Sequence, residues 1–304
     1  MSEMQSAPRN PWVAVVLSFF STGLGHIYSG RIVTGLVLFL VSLLFAPVAV
    51  LAAYLGSSTI VLVALLASGL TVIAVYLFAV VGSFRAARKS GAHYQLRDYN
   101  RGIIYALFLL VGVLYPVGVA QYLRASVFEA FLIPTASESP NFLPNDHVLV
   151  NKTTFQRRAP DRGDVVVFRS PKDRRLNWIK RVIGLPGDTV EVKGNEVILN
   201  GKKLERDRVP ASSLTFPLDE GSEVFYEVNG GRRYRILLAP TDEKIADFAK
   251  QTVPEGYCFV LGDNRNRSLD SRGVGLIPQA ELIGAVQYIF WPSESWSRFG
   301  AIPE

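Results

Sequence analysis

The sequence predicts a chain in two parts: an N-terminal α-helical transmembrane region, then a mainly β domain of folded antiparallel sheets or a barrel. Two observations point there. Hydrophobic residues make up 49% of the 304, yet the long apolar runs are confined to residues 12–122. Past residue 140 the pattern changes to short β-rich runs separated by turn signals, the spacing of a folded sheet assembly. The expected division is 1–123 for the membrane region and 124–304 for the second domain, with an inserted β subdomain at about 205–255.

The first apolar stretch, Pro11 to Tyr28, is broken by Ser21-Thr22-Gly23-Leu24-Gly25-His26 and sits at the lower length limit for a span. It either crosses or re-enters, so the region has three or four helices and the side of the N-terminus stays open. Val33–Tyr54, Ile60–Val81 and Ile103–Tyr122 are clear spans. Each must be helical, because only a helix satisfies its own backbone in lipid. The first hairpin loosely resembles small two-helix membrane modules with a Pro-Gly-x-Gly-x-x-Tyr-x-Gly turn, Thr22 replacing the proline. His26 reads first as a residue hydrogen-bonded at a helix end. Its place in the membrane keeps a ligand or proton-transfer role open.

Charge sets the orientation. Arg85, Arg88, Lys89, Arg97 and Arg101 stand against Asp98 in one loop, while residues 55–59 carry no charge. The positive-inside rule puts the basic loop in the cytoplasm. The next span then carries residues 124–304 outward. No cleavable leader is expected, because the first apolar run continues into further runs. The net charge of +6 is modest, and much of it lies in that loop, which argues against nucleic acid as a partner. Cys258 is the only cysteine, so no intramolecular disulfide forms.

In the second domain, strands are expected at His147–Lys152, Asp164–Ser170, Trp178–Ile183 and Thr189–Val192. Asn200-Gly201 is a hairpin signal between Glu196–Leu199 and Lys202–Leu204. Asn229-Gly230-Gly231 joins Glu223–Val228 to Arg233–Leu238. Lys244–Gln251 reads as a short helix. Tyr257–Leu261 and Ala285–Trp291 are late strands.

Three stretches carry candidate chemistry. Residues 131–140 run from apolar to hydroxyl-rich, with Pro134 and Pro140 biasing Ile133 and Ser139 toward extended backbone; alone, this is an ordinary Ser/Pro loop. In 177–188, a strand puts Trp178, Lys180 and Val182 on one face. A lysine so placed is desolvated, which disfavours its ammonium form, unless it snorkels to solvent. Residues 262–272 are polar and turn-rich, readable as a solvated loop with an Asp270/Arg272 ion pair.

In this order the three stretches resemble the boxes of bacterial type I signal (leader) peptidases, membrane-bound Ser/Lys endopeptidases. The family pattern I-P-S-x-S-M-x-P-T reads I-P-T-A-S-E-S-P-N here. Ile179 to Asp188 matches I-K-R-x-x-G-x-P-G-D. The last box, G-D-N-R-D-N-S-x-D-S-R, is matched except at Asn266 and Arg267. The likeness covers roughly residues 125–295 and implies a fold of signal-peptidase type.

The resemblance implies Ser137 as nucleophile, Lys180 as general base and Ser268 as the hydroxyl that orients it. Thr135, with the Ser137 N–H, aligns with the oxyanion donors. Arg181, Gly262, Asp270 and Arg272 fall at scaffold positions. Phe131, Ile133, Phe142, Trp178 and Ile179 align with residues of small pockets that favour Ala-x-Ala ends. No metal or organic cofactor is implied. The implied partners are signal peptides of exported preproteins, the lipid bilayer and the secretion machinery. The implied location is the inner (cytoplasmic) membrane, multi-pass, with the catalytic domain on the periplasmic side. Glu138 departs from the family methionine: its carboxylate either favours charged Lys180 or points away, since neighbours in extended backbone alternate. Asn141 stands where the family has threonine. Another membrane-anchored Ser/Lys peptidase, such as a conjugation-type enzyme, is one alternative. A non-catalytic membrane scaffold is another, but Ser137 and Lys180 are both present.

Overall fold

A computed structural model of the chain describes residues 8–55, 58–90, 94–210, 214, 218–241 and 247–301. It divides into two compact units that meet in sequence at Val127 and Phe128.

The first unit is helical: α1 Pro11–Phe20, α2 Leu24–Tyr28, α3 Ile32–Leu43, α4 Phe45–Leu55, α5 Ser58–Ser90 and α6 Gly102–Tyr122. The Asn10 side chain caps α1 by accepting the Trp12 N–H at 2.9 Å, and Pro11 opens it, where its missing donor does no harm. The helix stops at the Ser-Thr-Gly break. Gly23 turns the chain at φ 90°. A Cβ there would meet the Gly35 carbonyl oxygen at 2.1 Å, so α2 lies this close to α3 only with glycine. The Pro11–Tyr28 run is therefore not one continuous span. With 10 residues, α1 is about 15 Å long, half the roughly 30 Å of a bilayer core. Among the described residues, Ile32–Tyr54, Thr59–Ser90 and Gly102–Val127 are long and apolar enough to cross a membrane. Val63, Leu70 and Leu114 on these helices are exposed, as expected of segments apolar all round. His26 is buried and stacks on Phe78 at 6.3 Å. Its Nδ1 has no hydrogen-bond partner, so the helix-end bond expected from sequence is not made there.

The second unit is β: β1 Phe128–Leu132, β2 His147–Asn151, β3 Val165–Arg169, β4 Asn177–Gly184, β5 Thr189–Lys193, β6 Glu196–Leu199, β7 Lys202–Lys203, β8 Glu205–Arg208, β9 Glu223–Asn229, β10 Arg232–Leu238, β11 Phe248–Thr252, β12 Tyr257–Leu261, β13 Ile277–Pro278 and β14 Leu282–Trp291. Among the described residues, seven strands form one sheet in the order β1-β2-β14-β3-β4-β12-β13. Its pairings are antiparallel. Four more form β11-β5-β6-β7, and three form β10-β9-β8. Asn200 and Gly201 take positive φ, 54° and 78°, the turn that matches strand twist in a two-residue hairpin.

The helix expected at Lys244–Gln251 does not form over its described part. Residues 244–246 lie outside the described ones, and Phe248–Thr252 is strand β11, paired with β5. The reason is tertiary: β5 has an edge to pair, and the Phe248 ring packs 4.7 Å from Phe259. Such packing decides strand formation more than local propensity does. Between residues 205 and 255, β8–β10 form their own sheet, but Tyr234 and Ile236 share a core with Ile183, Val190 and Phe259. The inserted sheet thus buries one face against the strands that hold the site.

Candidate active site

β1 pairs with β2, placing Phe131 opposite Val148. The pairing runs on past Leu132, where the Ile133 N–H donates to the Asp146 carbonyl at 2.9 Å and Ile133 O accepts from Asn145 at 2.7 Å. After Pro134 the chain leaves the sheet and makes one tight turn, Ala136–Glu138, of 3₁₀ type. This turn decides the site. Successive side chains on a 3₁₀ turn stand about 120° apart, not on opposite faces as in a strand. Ser137 and Glu138 therefore reach the same place.

Lys180 arrives from mid-β4, opposite Val166 on β3, and is buried. Its Nζ donates to Ser137 Oγ at 2.8 Å, Glu138 Oε1 at 2.6 Å and the Ile179 carbonyl at 2.7 Å. Three acceptors thus surround the Nζ group. Glu138 points inward against Lys180, and of the two readings offered by the sequence the one in which it points away does not hold. The Glu138 side chain is 1% exposed, and its Oε2 has no donor. Burial pushes this carboxyl up to about 7, with Lys180 pulling the other way and Asp263 adding to the rise. Thr135 donates from Oγ1 to Ser137 Oγ at 3.3 Å, and Ser137 Oγ lies 3.2 Å from Glu138 Oε1.

The 262–272 stretch clamps this turn by its backbone. The Asn264 N–H donates to Ser137 O at 3.1 Å, and its Nδ2 to Ala136 O at 3.1 Å. Gly262 is required for that approach: a Cβ would come 2.1 Å from Ser268 Oγ and 2.6 Å from Ser137 O. Asp270 accepts the Gly262 N–H at 3.1 Å and holds Arg272 at 2.7 and 2.8 Å. Arg181 makes a forked pair with Asp263, which also accepts from Asn141 Nδ2 at 2.6 Å. Ser268 lies beside the clamp, but its Oγ makes no hydrogen bond; the place beside Nζ expected for it is taken by Glu138. Sequence reasoning gives Asp263, Asn264 and Asn141 no role, although all three lie within or beside the boxed stretches.

Ser137, Lys180 and Thr135 open into a cavity of about 450 Å³, whose walls include Phe131, Ile133, Trp178 and Ile179. Phe142 does not line it. It is 1% exposed and packs beneath, with Ile133, Val148 and Val150, because its backbone N–H donates back to Glu138 O at 3.0 Å and turns it under the loop. The arrangement places a serine hydroxyl within hydrogen-bond reach of a buried amine at the floor of an apolar cleft, the geometry of nucleophile and base.

Known proteins resemble this chain. The family described as "Signal peptidase, peptidase S26" matches residues 105–291. Signal peptidase I of Rickettsia typhi (strain ATCC VR-144 / Wilmington) is 32% identical over 206 residues, covering 58% of this chain and 76% of that protein. The Rickettsia canadensis (strain McKiel) protein of the same name is 33% identical over 208 residues, covering 59% and 77%. A crystal structure of a signal peptidase I from Enterococcus faecalis V583 is 34% identical and covers 42% of this chain and 97% of that one. Its TM-score of 0.27 is too low to bear on the fold.

Proposed function

We propose, from the premise that the chain belongs to the signal peptidase family, peptidase S26, that Ser137 and Lys180 carry its chemistry. The activity of this chain is cleavage of signal peptides by a membrane-associated serine endopeptidase. The 2.8 Å contact between Lys180 Nζ and Ser137 Oγ carries the residue assignment.

In this reading, the Oγ–H proton passes to neutral Nζ as Oγ bonds to the scissile carbonyl carbon. The Thr135 hydroxyl and the Ser137 N–H meet the developing oxyanion, where preorganised donors count most. The Lys180 ammonium then protonates the leaving amine. Water repeats the sequence on the acyl-enzyme. Phe131, Ile133, Trp178 and Ile179 leave room only for small side chains before the cleavage site, so Ala-x-Ala ends fit. Gly262, Asp270, Arg272 and the Arg181–Asp263 pair hold the turn that presents Ser137. Ser268 fills the space beside Gly262.

The basic loop at 85–101 lies in the cytoplasm and the 124–304 domain on the outer face of the inner membrane, where signal peptides of exported preproteins emerge. Incubation of the purified protein with a preprotein, followed by sequencing of the new N-terminus, is the test. The reading expects one cut after an Ala-x-Ala end, and an alkaline phosphatase fusion active at Glu304 but inactive at Ser90. Cleavage elsewhere, or the reverse fusion pattern, overturns it.

A further inference from the structure

The proposed chemistry needs Lys180 without its extra proton, yet the structure sets a carboxylate directly against it. Glu138 Oε1 lies 2.6 Å from Nζ and 3.2 Å from Ser137 Oγ. Both charged side chains are buried. The other charges nearby are committed elsewhere. On β4, Arg181 is bound to Asp263 at 2.7 and 2.8 Å. On the clamp, Arg265 holds Glu227, Arg272 holds Asp270, and Arg267 at the cavity mouth holds Asp219. Among the described residues around the site, Lys180 is thus the cation left to answer this carboxylate, and Glu138 the anion left to answer Lys180.

We propose that Glu138 and Lys180 titrate as one unit, the carboxylate holding Lys180 as an ammonium in the resting site and so setting the pH range and the ceiling of catalysis. This rests on the Ser137–Lys180 reading above. The pair has a state with two protons, one with a single proton and one with none. The single proton sits on Nζ, giving an ion pair, or on Oε1, giving a neutral carboxylic acid beside a neutral amine. Only the second form can act. There, Ser137 gives its Oγ proton to Nζ as the Oγ–C bond forms, Nζ passes it to the departing nitrogen, and the proton on Oε1 stays through the turnover.

A consequence follows for the pH profile. Between loss of the first proton and loss of the second, the ratio of the two single-proton forms does not depend on pH, so the wild-type rate levels off until the ion-paired Lys180 itself gives up its proton. Burial, which pushes the Glu138 carboxyl up to about 7, puts that levelling in an accessible range. In Glu138→Gln a neutral amide replaces the acid, and the only proton to lose is the lysine's. The rate then climbs with pH until Lys180 itself is neutral. The limb moves to higher pH, and the plateau rises in step, about tenfold for each pH unit the limb moves. Below both limbs the two rates coincide. A carboxylate with only a packing role would scale the rate equally at every pH.

The test is kcat/KM on a preprotein from about pH 5 to about pH 10 for the wild type, Glu138→Gln and Glu138→Met, with Ser137→Ala and Lys180→Met as blanks. The expected result is a limb at higher pH in both Glu138 variants, matched by a higher plateau. Parallel profiles, or a limb at lower pH, overturn the proposal. In the Ser137→Ala background, the ¹³Cε signal of Lys180 gives a reading that does not depend on turnover: it should lose its charge at lower pH in Glu138→Gln than with Glu138 intact. An unchanged titration also overturns it. Activity in the blanks would defeat the Ser/Lys reading itself. Inactive blanks with parallel profiles would defeat only the role of Glu138.

Discussion

Arg181 and Asp263 form a forked ion pair, Nε to Oδ1 at 2.7 Å and Nη2 to Oδ2 at 2.8 Å, with neither side chain exposed at all. The pair joins the residue after the base to the residue before the backbone clamp on Ser137. Arg181 also lies over the Tyr234 ring at 4.1 Å, and Tyr234 donates to Glu227 at 2.9 Å. Removing one partner of such a pair leaves an uncompensated buried charge. Asp263→Ala should therefore cost about 3–5 kcal/mol of stability, read by denaturant unfolding in detergent. Cleavage should fall with it. Arg181→Lys should not preserve function, because an ammonium cannot fill both carboxylate oxygens in a fork. Wild-type stability in Asp263→Ala would mean the pair is dispensable.

Glu227 sets an acid limit on the fold. Its burial alone would raise its pKa, but Arg265 and then Arg206 hold it down to about 2. A carboxylate depressed in the folded state adds stability above its unfolded value, and that stability is lost as pH falls toward the folded value. The window is thus roughly pH 4.5 down to about 2, and the contribution is on the order of 3 kcal/mol. Unfolding measured across that range should show the loss. Glu227→Gln should remove most of this slope and be less stable at neutral pH, since Arg265 is left buried without its charge partner. An unchanged slope in the variant would place the acid sensitivity elsewhere.

The pocket assignments separate by burial. Ile133→Ala and Ile179→Ala shorten cavity walls, so both should admit larger residues before the cleavage site while retaining activity on Ala-x-Ala ends. Phe142→Ala should instead cost about 3–5 kcal/mol and leave cleavage-site choice unchanged, because Phe142 sits in core. Cleavage-site mapping on a preprotein series, alongside unfolding curves, distinguishes the two. Relaxed choice in Phe142→Ala alone would reverse the assignment.

Most of the frame is legible in the sequence because local chemistry determines it. The apolar runs, the Asn200-Gly201 turn and the three boxed stretches each act through residues close in the chain. What stays hidden depends on partners far apart. The direction of Glu138 hangs on a single 3₁₀ turn, which extended-strand logic at residues 133–139 cannot foresee. Phe142 reads as a pocket wall because its position after Pro140 gives no sign of the backbone turn that tucks it under. β11 forms because β5 offers an edge and Phe259 a surface for Phe248, neither of which is readable within 248–252. The Glu227–Arg265 pair requires β9 to meet the clamp loop, which no spacing announces. Ser268 is a different case: it is readable as a member of the 262–272 stretch, but its missing bond to Lys180 follows from Glu138 occupying that position.

The central claim is that Ser137 is the nucleophile and Lys180 its base. The most direct measurement is cleavage of a preprotein by wild type, Ser137→Ala, Lys180→Arg and Lys180→Met, with each variant shown to be folded and membrane-inserted. The account predicts no cleavage by any of the three. Ser137→Ala lacks the attacking oxygen. Guanidinium stays protonated at any working pH, and methionine offers no base. Lys180→Met leaves the Glu138 carboxyl buried without its cation, and the variant should still fold because that carboxyl takes up a proton and a chain of similar length fills the space. Near wild-type cleavage by Ser137→Ala or by either Lys180 variant would contradict the account.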